Sequence, residues 1–135
     1  MNNRLHTICS YMAMFPPSVP HYFIKKYSSE GDLVLDPFSG RGTTVLEACF
    51  MKREAIGNDK NPLAYILTKA KADVPQKGRI ISKIDRLEKE FNHIKIDIKN
   101  EPHDIKMIFH SYTLKQLVFL KHRLNWKKSN VDAFV

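Results

Sequence analysis

At 135 residues and 43% apolar composition the chain is long enough for one domain with a real core, and too apolar for a disordered tail. A formal net charge of +8 favours a polyanionic partner, although charge alone selects no function. Cys9 and Cys49 form no CxxC pair and no charged segment leads into an unbroken apolar run, which argues against a disulfide scaffold or secretion; a cytoplasmic protein is expected.

The first seventeen residues are irregular and end in Met14-Phe15-Pro16-Pro17. Pro16, Pro17 and Pro20 break the apolar stretch from Ile8 to Ile24, so no membrane span is expected there. Ser18 is placed to cap a helix carrying Val19, Tyr22, Phe23 and Tyr27 on one face, and residues 28–32 read as a turn. Leu33-Val34-Leu35 then reads as a buried strand that runs into Asp36-Pro37-Phe38-Ser39-Gly40-Arg41-Gly42-Thr43-Thr44. Gly40 and Gly42 allow a tight turn there, and Thr44 with Glu47 has the spacing of a helix capping box.

A second short strand is expected over 54–57, ending at Asn58-Asp59. Asn61-Pro62 follows as a helix start, with Leu63, Ile66, Leu67 and Ala70 as the buried stripe. Strand, loop, helix and strand in this order make a βαβ unit, whose parallel strands leave the glycine loop at the carboxyl edge of the sheet, where ligands bind. Beyond Val74-Pro75 the pattern is mainly helical. Ile80, Ile84, Leu87 and Phe91 define an amphipathic helix; Ile94, Ile96 and Ile98 fit a short strand or a loop; Thr113 and Gln116 are spaced as a second capping box for Leu114, Leu117, Val118 and Leu124. A doubly wound sheet usually needs five or more strands, whereas two can be named and at most one or two others, so the sheet is small or the chain incomplete.

The loop is the chemistry-bearing motif. A dinucleotide fingerprint would need glycine at position 45, which is Val45, and no Gly-Lys-Ser/Thr follows for a phosphate loop. What remains is an acid at a strand end, an aromatic, two glycines and two threonines. That mixture suits a sulfonium with a carboxylate-bearing tail: Asp36 supplies negative charge near the cation or amino group, and turn amides receive the tail. Asp59, 23 positions after Asp36, is placed to accept both hydroxyls of a ribose, whereas Asn61 reads as a helix cap.

The run from Gly31 through Thr44, continued by Arg53-Glu54-Ala55-Ile56-Gly57-Asn58-Asp59, resembles the S-adenosylmethionine-binding half of the DNA amino-methyltransferases that modify adenine N6 or cytosine N4. Phe15-Pro16, followed by a helix and Gly31-Asp32, looks like the same family's motif on the methionine side of the cofactor. The resemblance covers roughly residues 10–75. It implies a partial Rossmann-like methyltransferase fold, α/β, with residues 1–75 as the cofactor-binding part and 76–135 as a mainly helical extension of the same domain. Asp36, Pro37, Phe38, Gly40 and Gly42 would hold the methionine and sugar parts of the cofactor, Thr43 would contact its carboxylate, Asp59 would bind the ribose, and Phe15 and Pro16 would close the methionine end. Arg41 stands where the family usually has serine; its longer side chain would be tolerated if it points outward, and no side-chain contact is assigned at that position.

Amino-methyl transfer also needs a group that accepts hydrogen bonds from the exocyclic amine and an aromatic that stacks on the extruded base. The family supplies both in an Asp/Asn/Ser-Pro-Pro-aromatic tetrapeptide, which is absent here: Phe15-Pro16-Pro17-Ser18 has the wrong neighbours, and Asn61-Pro62-Leu63-Ala64-Tyr65 lacks the second proline. No catalytic residue is therefore assigned. The chain is expected to be the cofactor half of a truncated enzyme, or one polypeptide of a split one that acts on DNA only when complete. The alternatives are a fragment of an RNA guanine-N2 methyltransferase, whose family has a similar Asp-Pro-Phe-x-Gly-x-Gly-Thr loop, and a basic module without chemistry. Lys115, Lys121, His122, Arg123, Lys127 and Lys128 beside Tyr112 and Trp126 can meet phosphates and bases, but the pattern also fits the solvated side of a helix. His6, His21 and His110 read as structural, and no metal site is expected.

Overall fold

The computed structural model of the protein describes residues 3–12 and 14–135. Two compact units divide the chain between Val74 and Pro75, Phe134 alone grouping with the first. The first unit contains a 3-10 turn (Arg4–Thr7), α1 (Ser18–Tyr27), β1 (Leu33–Asp36), α2 (Thr43–Phe50), β2 (Glu54–Gly57) and α3 (Pro62–Ala72). The second contains α4 (Lys77–His93), α5 (His103–Ile108), α6 (Ser111–Arg123) and α7 (Asn130–Phe134). The chain is thus α/β with mostly helices and one small parallel sheet.

β1 and β2 pair in parallel, with Leu33 opposite Glu54 and Asp36 opposite Gly57. The ladder is extended past both strands by Glu54 N–H to Asp32 O at 3.0 Å and Asn58 N–H to Asp36 O at 2.9 Å. α2 packs against both strands and between α1 and α3, so Val45, Leu46 and Ala48 form the centre of this unit. α2 covers one face of the sheet only. Because strand side chains alternate, Val34 and Asp36 are half-buried while Leu33, Leu35 and Ile56 are exposed on the other face. β1 is therefore not the fully buried strand that its apolar run implied. The same holds for α1, which buries Pro20 and Ile24 and leaves Val19, Tyr22, Phe23 and Tyr27 exposed. The Arg53 guanidinium, just before β2, ties the end of α1 to the sheet by donating to Ser28 O at 2.6 Å and Ser28 Oγ at 3.0 Å.

Three helix starts differ from their expected caps. α1 begins at Ser18 without a side-chain cap, and α2 is entered through Gly42 in the left-handed conformation (φ 77°), again without one. Glu47 does not reach back to the helix start; its carboxylate is buried and committed to two histidines. Thr113 lies inside α6, whose cap is His110, with Nδ1 accepting from the Tyr112 amide at 3.3 Å. Asn61, by contrast, caps α3 through its side-chain oxygen, 3.0 Å from the Leu63 amide. The α3 stripe is rotated from its expected position: Ala64, Leu67, Thr68 and Lys71 are buried, while Leu63 is exposed and Ile66 and Ala70 are half-buried.

In the second unit α4 packs on α6 through Leu87, Leu114, Val118 and Phe119, with Phe91 edge-on to Phe119 and to Tyr112. Residues 94–98 form a loop with Ile96 and Ile98 half-buried. Lys83 Nζ lies 2.6 Å from Asp132 Oδ1, and the Asn125 amide donates to Asp132 Oδ2 at 2.8 Å. Burial raises the Asp132 pKa, but Lys83 and the Asn125 amide outweigh it and leave the carboxyl below its ordinary 3.8. A depressed folded pKa stabilises above the unfolded value and is lost as pH falls through the folded one. Asp132→Asn should therefore cost about 2 kcal/mol at neutral pH, and a series of urea titrations should show the difference from wild type shrinking as the pH drops below 3.8.

Among the described residues no helix is long and apolar enough to cross a membrane, and no group of three or more His, Cys, Asp or Glu residues could hold a metal ion.

Candidate functional site

The glycine loop leaves β1 at Asp36 and returns as α2 at Thr43, at the carboxyl edge of the two strands. Its shape is set by its own polar groups. Asp36 Oδ1 accepts from the Phe38 amide at 3.1 Å, the Ser39 amide donates to Asn58 O at 2.9 Å, and the Gly42 amide donates to Ser39 O at 2.7 Å. Pro37 and Phe38 stand at the tip, with Phe38 86% exposed; Thr43 is buried at the start of α2.

Asp59, at the end of β2, closes the other side of this loop. One carboxylate oxygen accepts from the Gly40 amide at 2.9 Å and the other from the Asn61 amide at 2.9 Å. The Asn61 and Gly40 amides lower its pKa below the ordinary 3.8, so the group is anionic at neutral pH. Each oxygen keeps a further lone pair for a ligand hydroxyl. Asp36, Phe38, Gly40, Gly42 and Asp59 are thus brought together in one hydrogen-bonded turn. Phe15 lines a groove of about 440 Å³ with Val19, Phe23, Val34 of β1 and Thr44 at the end of the glycine motif, while the Pro16 carbonyl takes the Val19 amide at the start of α1.

Several residues at this site were not legible as site residues. The Tyr11 ring lies 3.5 Å from where a Cβ on Gly40 would stand, and its hydroxyl accepts from Asn61 Nδ2 at 3.1 Å. It sits in an irregular segment whose sequence has no period to read. Thr68 and Lys71 face the loop from α3: Thr68 Oγ1 donates to Gly40 O at 3.3 Å and Lys71 Nζ to Arg41 O at 2.7 Å. Arg41 does not point freely outward. It is half-buried against the N-terminal segment, with Nη1 3.5 Å from Cys9 O and a buried Nε that has no partner.

A further polar cluster anchors the N-terminal segment. Glu47, 3% exposed, places one oxygen 2.7 Å from His6 Nε2 and the other 2.9 Å from His21 Nδ1, joining the 3-10 turn, α1 and α2.

Comparison with known proteins agrees with the resemblance carried by the loop. The family model for DNA methylases of the N6/N4 class matches residues 2–70, half of the chain. Type II methyltransferase M.MjaII of Methanocaldococcus jannaschii is 31% identical over 92 residues, 66% of this chain and 17% of that protein. M.MjaI of the same organism is 40% identical over 65 residues, 48% of this chain and 22% of its own length. M.MvaI of Kocuria varians is 26% identical over 99% of this chain, which corresponds to 24% of that enzyme. The chain therefore spans 17% to 24% of the length of these relatives. No solved structure matches it. The chain belongs to the N6/N4 DNA methylase family.

Proposed function

We propose that this chain is the S-adenosylmethionine-binding portion of a site-specific DNA methyltransferase that methylates the exocyclic amine of adenine (N6) or cytosine (N4). The observation that carries this reading is the closure of the glycine loop by Asp59, which sets two carboxylates and a glycine turn at one edge of a parallel pair of strands.

The residues present fit the cofactor. Asp36 and Asp59 offer negative charge to a sulfonium or amino group and acceptors to ribose hydroxyls. The amino end of α2, entered through left-handed Gly42 and capped by no side chain, offers backbone N–H groups and a positive dipole end to a carboxylate. Exposed Phe38 offers an aromatic face. When bound, the cofactor supplies an activated methyl group; these residues bind and orient it. The chain contains no Pro-Pro-aromatic tetrapeptide, so presentation of the base is assigned to residues outside these 135, in the complete enzyme or a second polypeptide. The net charge of +8 supports DNA as the partner of the complete enzyme.

Calorimetric titration with S-adenosylmethionine provides the test. Asp36→Ala should weaken binding by about tenfold or more, since each tenfold is only about 1.4 kcal/mol and a charge-assisted contact contributes at least that much. An unchanged affinity would remove Asp36 from the site.

A further inference from the structure

α3 contributes two side chains to the glycine loop whose burial the packing of an apolar core does not explain. Its buried face carries Thr68 and Lys71 at 8% and 3% exposure, where the apolar period of the sequence would have put Ile66 and Ala70. Both turn their polar ends onto backbone carbonyls of the loop. Thr68 Oγ1 is 3.3 Å from Gly40 O and also 3.3 Å from Ser39 Oγ, while Lys71 Nζ is 2.7 Å from Arg41 O.

The Lys71 arrangement is costly. A buried ammonium is normally paired with a carboxylate, yet the ion pairs of the described residues do not include this one, and its partner is a neutral carbonyl. Burial, with the Arg41 guanidinium adding repulsion and the Cys9 sulfur a weaker opposing influence, lowers its pKa from 10.5 to about 8. A buried, unpaired ammonium beside a candidate binding loop is a functional candidate.

The geometry shows what is gained. In a trans peptide the carbonyl and the following N–H point in opposite directions. Drawing the Gly40 carbonyl onto Thr68 turns the Arg41 amide away from α3, and drawing the Arg41 carbonyl onto Lys71 directs the Gly42 amide onto Ser39 O, 2.7 Å away, which closes the turn. Asp59 draws the Gly40 amide onto the end of β2. The loop is thus held from behind at two successive peptides, with the Gly40 and Gly42 amides taken up within the site and the Arg41 amide turned away from α3.

We propose that Thr68 and Lys71 are positioning residues for the methyl-donor loop, fixing its peptide planes by taking up the Gly40 and Arg41 carbonyls. This rests on the cofactor reading above and names residues to which no role was assigned. Two measurements on the full 135-residue chain separate the proposals: amide hydrogen exchange over residues 40–43 without ligand, and calorimetry with S-adenosylmethionine from pH 7 to pH 9.

Lys71→Met keeps the aliphatic stem and should accelerate exchange at 40–43 by about tenfold, the loss of one charge-assisted hydrogen bond, with β1 and α1 unchanged. Its affinity for the cofactor at pH 7 should fall by a similar factor. Wild-type affinity should weaken as the pH rises through about 8, where Lys71 loses its proton and the cofactor's own α-amino group also titrates. Arg41 stays charged throughout this range, and the exposed Cys9 thiol is controlled by Cys9→Ser. Lys71→Met should leave only the step of the cofactor's amino group, and Lys71→Arg should restore binding with that smaller step. Thr68→Val should show a smaller loss with no change in the pH step.

If Lys71→Met does not fold, the Thr68→Val exchange rates and the pH dependence of wild-type exchange at 40–43 without ligand, corrected for intrinsic exchange, decide. Wild-type exchange at 40–43 in folded Lys71→Met or Thr68→Val overturns the proposal, as does cofactor binding that depends on Asp36 but keeps the wild-type affinity and pH profile in Lys71→Met. Faster loop exchange with no cofactor binding by any form leaves the loop-holding role standing and overturns the cofactor reading.

Discussion

Gly42→Ala is expected to destabilise the first unit by about 3 kcal/mol and to abolish cofactor binding. Gly42 has φ 77°, and a left-handed conformation costs an L-residue about 1–2 kcal/mol. Space adds a second cost. A Cβ here would stand 2.8 Å from Thr68 Oγ1 and 2.9 Å from the Thr68 Cα, which is backbone of α3 and cannot rotate away. Overpacking of this kind typically costs about 1–3 kcal/mol. Gly31→Ala separates the two contributions, because Gly31 has φ 88° with nothing within 4 Å of the added carbon. Urea unfolding followed by circular dichroism should show Gly31→Ala losing only the conformational part. If the two variants were equally stable, close approach of α3 to the loop would be wrong. Calorimetry reads the second effect, since moving α3 away from Gly42 also removes Thr68 and Lys71 from the carbonyls that they hold.

Glu47→Ala should cost about 3 kcal/mol, in the range found when one partner of a buried polar pair is removed. Its carboxylate is the shared partner of His6 and His21, and His6 Nδ1 is already buried without a partner. Removing the carboxylate leaves both ring nitrogens of His6 unpaired in a site only 5% exposed. Glu47→Gln retains the shape and one acceptor and should lose about half as much. The loss should be local as well as global: hydrogen exchange over residues 3–12 should rise more than over β1, because His6 is the buried side chain of the 3-10 turn. A loss below about 1 kcal/mol would mean that the cluster is no better than an exposed ion pair.

Much of the first unit could be read from local pattern. The Asn61-Pro62 start, the two short strands and the helix between them depend on signals only a few residues long, and the structure has all of them. The same applies to the turn at Gly40 and Gly42, which both adopt positive φ. Misread features were those where a residue's partner is distant in sequence. Glu47 had capping-box spacing, but two histidines 41 and 26 positions upstream took its carboxylate. Arg41 had no local reason to fold inward, yet it lies against Cys9, 32 positions away.

The sequence by itself determined the family, the order of the βαβ elements and the identity of the loop residues, because glycine, proline and acid at fixed offsets constrain the backbone wherever they occur. Tertiary structure decided which faces are used. Apolar periodicity describes a helix or strand as if its whole apolar side were covered; here α2 covers a single face of the sheet, so Leu33, Leu35 and Ile56 remain exposed. On α3 the close approach to Gly42 selects the side carrying Thr68 and Lys71, and desolvation of a lysine is tolerated there because a loop carbonyl receives it. No pattern within α3 encodes that choice, since it depends on the shape of a turn some thirty residues earlier.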